Sequence, residues 1–134
     1  LFESCYSGYG LIIDLLGRMK DAIAEPALAL SPPPIVGADE YILKSNSEQA
    51  NIGPSIAERG LRPMDWRYRI WKLHVMTLRS IYEARGIRFI VPPRETYDDD
   101  GFLRQPFWSD LLHANAAYGR LLLQQVGSFL ATGF

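Results

Sequence analysis

Asp110 and His113 stand three positions apart in the run Ser109-Asp-Leu-Leu-His-Ala-Asn115. A carboxylate and an imidazole at this spacing meet where a backbone begins to coil into a helix. There the carboxylate can accept from Nδ1–H, fix the tautomer and stabilise the imidazolium once it forms. Nε2 is then left as general base toward a serine. This chemistry predicts a carboxylate oxygen within about 2.6–3.2 Å of Nδ1. The same residues carry a structural reading. Ser109, Asp110 and Asn115 are all ordinary N-cap types, and on this reading Asp110 caps the final helix while His113 packs or faces solvent. The sequence leaves both open.

Phe107 and Trp108 sit beside the pair and are candidates to line a pocket, with plain packing as the equal alternative. His74 lies between apolar turns of a helical segment and reads as structural. Trp66 and Trp71 read as core or half-core residues rather than a platform for sugars. Two histidines 39 positions apart and a single cysteine, Cys5, make no metal-ligand set. There is no glycine-rich phosphate loop. Ser7, in Cys5-Tyr-Ser-Gly-Tyr-Gly10, has no strand before it and does not match a Gly-x-Ser-x-Gly turn, so it reads as a loop or helix-cap serine.

The elements that must carry these residues follow from periodicity. Residues 10–24 place Ile12, Leu15, Leu16, Met19 and Ile23 on one helical face, and Glu25-Pro26 ends the segment. Residues 27–31 form a short apolar run closed by Pro32-Pro33-Pro34, which predicts a buried parallel strand. Residues 35–62 read as irregular, with a short helix near 48–58. Pro63 opens the clearest helix, 64–85, with Trp66, Ile70, Leu73, Thr77 and Ile81 on one side and Gly86 as its stop. Residues 87–91 predict a second strand, again ended by prolines. Asp98-Asp99-Asp100-Gly101 is a turn. A final helix is expected from about 114 to 130, with Tyr118, Leu121, Leu122, Gln125, Val126 and Phe129 inward.

This order is the grammar of a doubly wound α/β domain, and two strands amount to half of one. The 134 residues form at most one domain, read here as a single partial domain over 1–134. Ligands of open α/β sheets bind beyond the carboxyl ends of the strands. Those ends are Ser31-Pro-Pro-Pro34 and Val91-Pro-Pro-Arg94, which makes Ser31 a further pocket candidate. Two strands leave edges uncovered, so the chain is expected either to self-associate through a sheet edge or to draw on sequence outside it.

Composition narrows the function classes. Apolar residues make up 48% and charged residues 22%, a folded globular balance. A net charge of −1 provides no basic field for nucleic acid or an anionic membrane. No apolar run reaches the roughly 18 residues that span a bilayer. The start has neither an initiator Met nor the pattern of a signal peptide, so the N-terminus is expected to be incomplete. No compartment is legible.

The stretches Gly86-Ile-Arg-Phe-Ile-Val-Pro-Pro93, Asp100-Gly-Phe-Leu103 and Asp110-Leu-Leu-His-Ala-Asn-Ala-Ala-Tyr-Gly119 together resemble the closing block of SGNH/GDSL hydrolases. In that family a last strand leads to a loop with D-x-x-H and then to a final helix. Ser31-Pro-Pro-Pro-Ile35 and the His-Ala-Asn-Ala-Ala-Tyr-Gly run are similar to a group of bacterial SGNH-like proteins. The similarity spans roughly residues 26 to 126. Ala114 stands where the family often has proline. The family's Gly-Asp-Ser block, and the glycine and asparagine that help form its oxyanion hole, have no counterpart here.

The resemblance implies part of a three-layer α/β/α doubly wound parallel sheet, the flavodoxin-like SGNH fold, lacking its N-terminal half. It implies a serine hydrolase, an esterase or deacylase acting on a small-molecule or glycan acyl ester, with Asp110 and His113 catalytic and no cofactor. This chain alone is then expected to be inactive. The alternative is a non-catalytic SGNH-like domain that binds a glycan or a protein.

Overall fold

In the computed structural model of the chain, the structure describes residues 10, 13–15, 17, 18, 27–47, 56, 58–110 and 113–132. Ser7 and Cys5 lie outside them. So does much of the helix expected over 10–24, of which residues 10, 13–15, 17 and 18 are helical. The chain divides into two compact units. One takes the described residues up to Pro32 together with Lys72–Val91; the other takes Pro33–Trp71 and the described residues from Pro92 onward.

The first unit is built on a two-stranded parallel sheet of β1 (Leu28–Leu30) and β2 (Arg88–Ile90). Leu28 faces Arg88, Ala29 faces Phe89 and Leu30 faces Ile90. The parallel pairing read from the sequence is therefore present, one residue shorter at each strand end than expected. The Ser31 N–H carries the ladder one step further, to the Ile90 carbonyl at 2.8 Å. The prolines that follow have no N–H to donate and stop it.

Between the strands in sequence runs the helix α1 (Met64–Glu83). Its C-terminal half buries Thr77 and Ile81 completely. Val75, Leu78 and Tyr82 pack on Ala29, Ile87 and Phe89. The helix ends because Gly86 adopts φ +68°, a conformation open to glycine. The Ile87 N–H then reaches the Tyr82 carbonyl and the Gly86 N–H the Glu83 carbonyl, each at 3.0 Å, a Schellman closure. Burial of His74 on this helix lowers its pKa from 6.5.

The N-terminal half of α1 corrects one expectation. Trp66 and Ile70 share the helical face of Thr77 and Ile81, yet they are 49% and 44% exposed. Amphipathic spacing identifies a face, but it does not say how far along the helix a partner extends. Trp66 instead lies under the Arg62 guanidinium, 5.8 Å from the ring centre. Trp71 is half-buried and donates from Nε1 to the Pro33 carbonyl at 2.9 Å.

The second unit contains α2 (Asp39–Ser47), the first turns of α1, two 3₁₀ turns at Arg94–Thr96 and Gln105–Phe107, and α3 (Ala116–Thr132). Sequence periodicity misses α2, because a single apolar residue of it, Ile42, is buried. Residues 56, 58 and 59, near the helix expected there, are helical. The core joins Val36, Ile42, Leu103 and Tyr118, with Tyr41, Phe107, Trp108, Ala114 and Leu122 packed around it. Arg67 of α1 ties in the segment before α2 by donating to the Val36 carbonyl at 3.2 Å and pairing with Asp39. The expected turn at 98–101 forms on Asp98 Oδ1, which accepts the Asp100 and Phe102 N–H groups. Gly101 completes it at φ +91°, with Tyr68 so close that a Cβ would stand 2.6 Å from its hydroxyl. The final helix buries Tyr118, and Leu121, Leu122, Gln125, Val126 and Phe129 are half-buried, the side read from the sequence.

Candidate active site

The loop from Trp108 to Ala114 is pinned at its base by an antiparallel bridge between those two residues. Inside it the Asp110 N–H reaches the His113 carbonyl at 3.3 Å, and the Asn115 N–H reaches the Phe107 carbonyl at 2.9 Å. A closed loop of this kind brings the side chains at positions 110 and 113 to one side.

His113 Nδ1 lies 2.8 Å from Asp110 Oδ2 and 3.0 Å from Oδ1. This matches the distance expected from the D-x-x-H spacing. Asp110 Oδ1 also accepts the His113 backbone N–H at 2.8 Å. A carboxylate held on both the peptide and the ring restricts the imidazole's rotation and favours the tautomer with the proton on Nδ1. The histidine side chain is 73% exposed and the aspartate 31%. Nε2, the nitrogen not engaged by Asp110, therefore belongs to a ring that solvent reaches.

The capping alternative is resolved by a different residue. Asn115 Oδ1 accepts from the Ala117 N–H at 2.9 Å and the Tyr118 N–H at 3.3 Å, and the Asn115 carbonyl accepts from the Gly119 N–H. Asn115 is thus the N-cap of α3. Asp110 serves the loop before the helix and its histidine, not the helix itself.

Phe107 and Trp108 are half-buried against the core of the second unit. Trp108 donates from Nε1 to the Leu103 carbonyl at 2.6 Å, so its indole is fixed by packing and a hydrogen bond. Ser31 belongs to the first unit, buried at the end of β1, where its hydroxyl donates to the Pro32 carbonyl at 3.0 Å. These are the contacts of a strand end.

One residue of this site is missed by sequence reasoning. The Tyr41 hydroxyl donates to the Ser109 carbonyl at 2.7 Å, and its ring sits 4.7 Å from that of Trp108. Its signal was present in Asp39-Glu40 before it and Lys44 after it, acids at a helix start and a base at its end.

Among the described residues no group of His, Cys, Asp and Glu side chains could hold a metal ion, and no helix is long and apolar enough to cross a membrane. The Asp110–His113 contacts can orient an imidazole and move a proton at Nε2, given a substrate or nucleophile there. Compared with known proteins, the chain matches no family model, no curated protein and no solved structure.

Proposed function

We propose that this chain supplies the acid–base half of an SGNH/GDSL-type serine hydrolase, an esterase or deacylase acting on a small-molecule or glycan acyl ester. In this reading His113 takes the serine proton through Nε2 as the acyl carbon is attacked, then returns it to the leaving alkoxide. Asp110 holds the ring and stabilises its charged form. The serine and the oxyanion donors are not assigned to residues of this sequence. The observation that carries the reading is the 2.8 Å contact between Asp110 Oδ2 and His113 Nδ1, on a loop that precedes a helix in the D-x-x-H run. The parallel β1–β2 pair, with α1 between the strands in sequence, is compatible with a flavodoxin-like three-layer sheet.

A second reading is a non-catalytic SGNH-like domain that recognises a glycan or a protein. It is favoured by one specific feature, the absence of a Gly-Asp-Ser block from the sequence. The two separate on turnover of acyl esters by the full-length natural polypeptide. His113→Ala should abolish it, and Asp110→Asn should lower it by orders of magnitude with the fold intact. Full activity in either variant would remove the pair from the mechanism. Glycan binding without turnover would support the second reading.

A further inference from the structure

Asn115 makes more contacts than a helix cap requires. Its Oδ1 serves the first turn of α3, while its Nδ2 donates backward to two carbonyls, Pro106 at 2.8 Å and Trp108 at 3.1 Å. Its own N–H is spent on the Phe107 carbonyl. Each polar group of this residue is therefore committed, one part to the helix and the rest to the loop base from which Asp110 and His113 project. The amide is planar, so fixing its oxygen on the helix also fixes where its nitrogen points. The start of α3 and the loop base are thereby held in one register.

We propose that Asn115 is a positioning residue for the Asp110–His113 pair. Its cap function alone would leave the loop base held by backbone bonds only, the Trp108–Ala114 bridge and the Asn115 N–H on the Phe107 carbonyl. The two backward hydrogen bonds tie that base to the helix start through one side chain, and the Tyr41 hydroxyl on the Ser109 carbonyl holds the other flank. Its catalytic meaning rests on the hydrolase reading above. The geometry it asserts does not, because the pair can be observed without turnover.

The test separates the cap from the loop tie. Asn115→Asp and Asn115→Ser both keep an oxygen that caps α3, and both lose the amide NH₂ that donates to the Pro106 and Trp108 carbonyls. The full 134-residue chain, labelled with ¹⁵N, reports His113 directly by NMR. At about pH 8, where an ordinary imidazole is neutral, the native chain should hold its ring proton on Nδ1 and protect the His113 amide from exchange. In both variants helicity by circular dichroism and protection at Ala117 and Tyr118 should persist. The His113 amide should exchange about tenfold faster or more, as local opening becomes easier, and the Nδ1–H preference should fall. Native exchange and tautomer in both variants would overturn the proposal. So would loss of helicity in both, since Asn115 would then matter only through the fold. An intact tautomer in a full-length protein without esterase turnover would sink the hydrolase reading and leave this one standing.

Discussion

Asp110 holds His113 at two points, Oδ1 on the backbone N–H at 2.8 Å and Oδ2 on the ring Nδ1 at 2.8 Å. One carboxylate therefore sets both where the histidine's backbone lies and which way its imidazole turns. Asp110→Asn keeps an oxygen for the backbone but offers the ring an NH₂ group or a single acceptor. The neutral ring should shift toward the tautomer with its proton on Nε2, which disables it as a base at that nitrogen. Nitrogen shifts of His113 in the variant would check this. An unchanged tautomer would show that the ring is held by something else.

Tyr41 joins α2 to the loop through its hydroxyl and its ring. Tyr41→Phe removes only the bond to the Ser109 carbonyl and should destabilise the fold by about 0.5–1.5 kcal/mol. Tyr41→Ala also removes the aromatic contact with Trp108 and should cost about 3 kcal/mol or more. Urea unfolding of the two variants measures both values. Equal losses would mean that the ring contributes nothing.

The Tyr118 hydroxyl is buried with no hydrogen-bond partner among the described residues, and burial pushes its pKa from 10.0 up to about 12. A buried donor without a partner is destabilising by about 1–3 kcal/mol. Tyr118→Phe should therefore be neutral or stabilising near neutral pH. In alkali the sign is fixed by linkage. Between pH 10 and about 12 the unfolded chain loses the proton while the folded chain keeps it, so stability falls as pH rises, by about 2–3 kcal/mol at the upper end. Unfolding curves for both proteins across this range should converge on a smaller alkaline loss in the phenylalanine variant. Clear destabilisation by Tyr118→Phe at neutral pH would reveal a partner for the hydroxyl.

Burial lowers the pKa of His74 below 6.5, so the folded state favours the neutral ring. Its contribution to stability is complete above pH 6.5 and is lost as pH falls through the folded value, because the unfolded chain takes up the proton first. His74→Gln should flatten the decline of stability as pH falls below 6.5. Thermal melts in that window measure the slope, and identical slopes would place His74 outside the acid response.

Much of this protein was determined by local sequence. Prolines after residues 31 and 91 ended both strands, because proline has no N–H for the ladder. Gly86 closed α1, and the Asp98–Gly101 turn followed from side-chain acceptors and a positive φ. The i, i+3 spacing of Asp110 and His113 put carboxylate and imidazole within reach of each other, while the pinned loop around them decided that they meet. Other features depended on residues distant in the chain. Asn115, not Asp110, became the cap of α3, because backbone pairing at Trp108 and Ala114 set where the helix began. Tyr41 met Ser109 across 68 positions, a contact that no periodicity encodes. Trp66 and Ile70 carried the pattern of a buried face and stayed exposed, because burial requires a partner surface as well as an apolar stripe. Short-range chemistry selects conformations from neighbours alone, whereas packing is decided by whatever surface the rest of the chain presents.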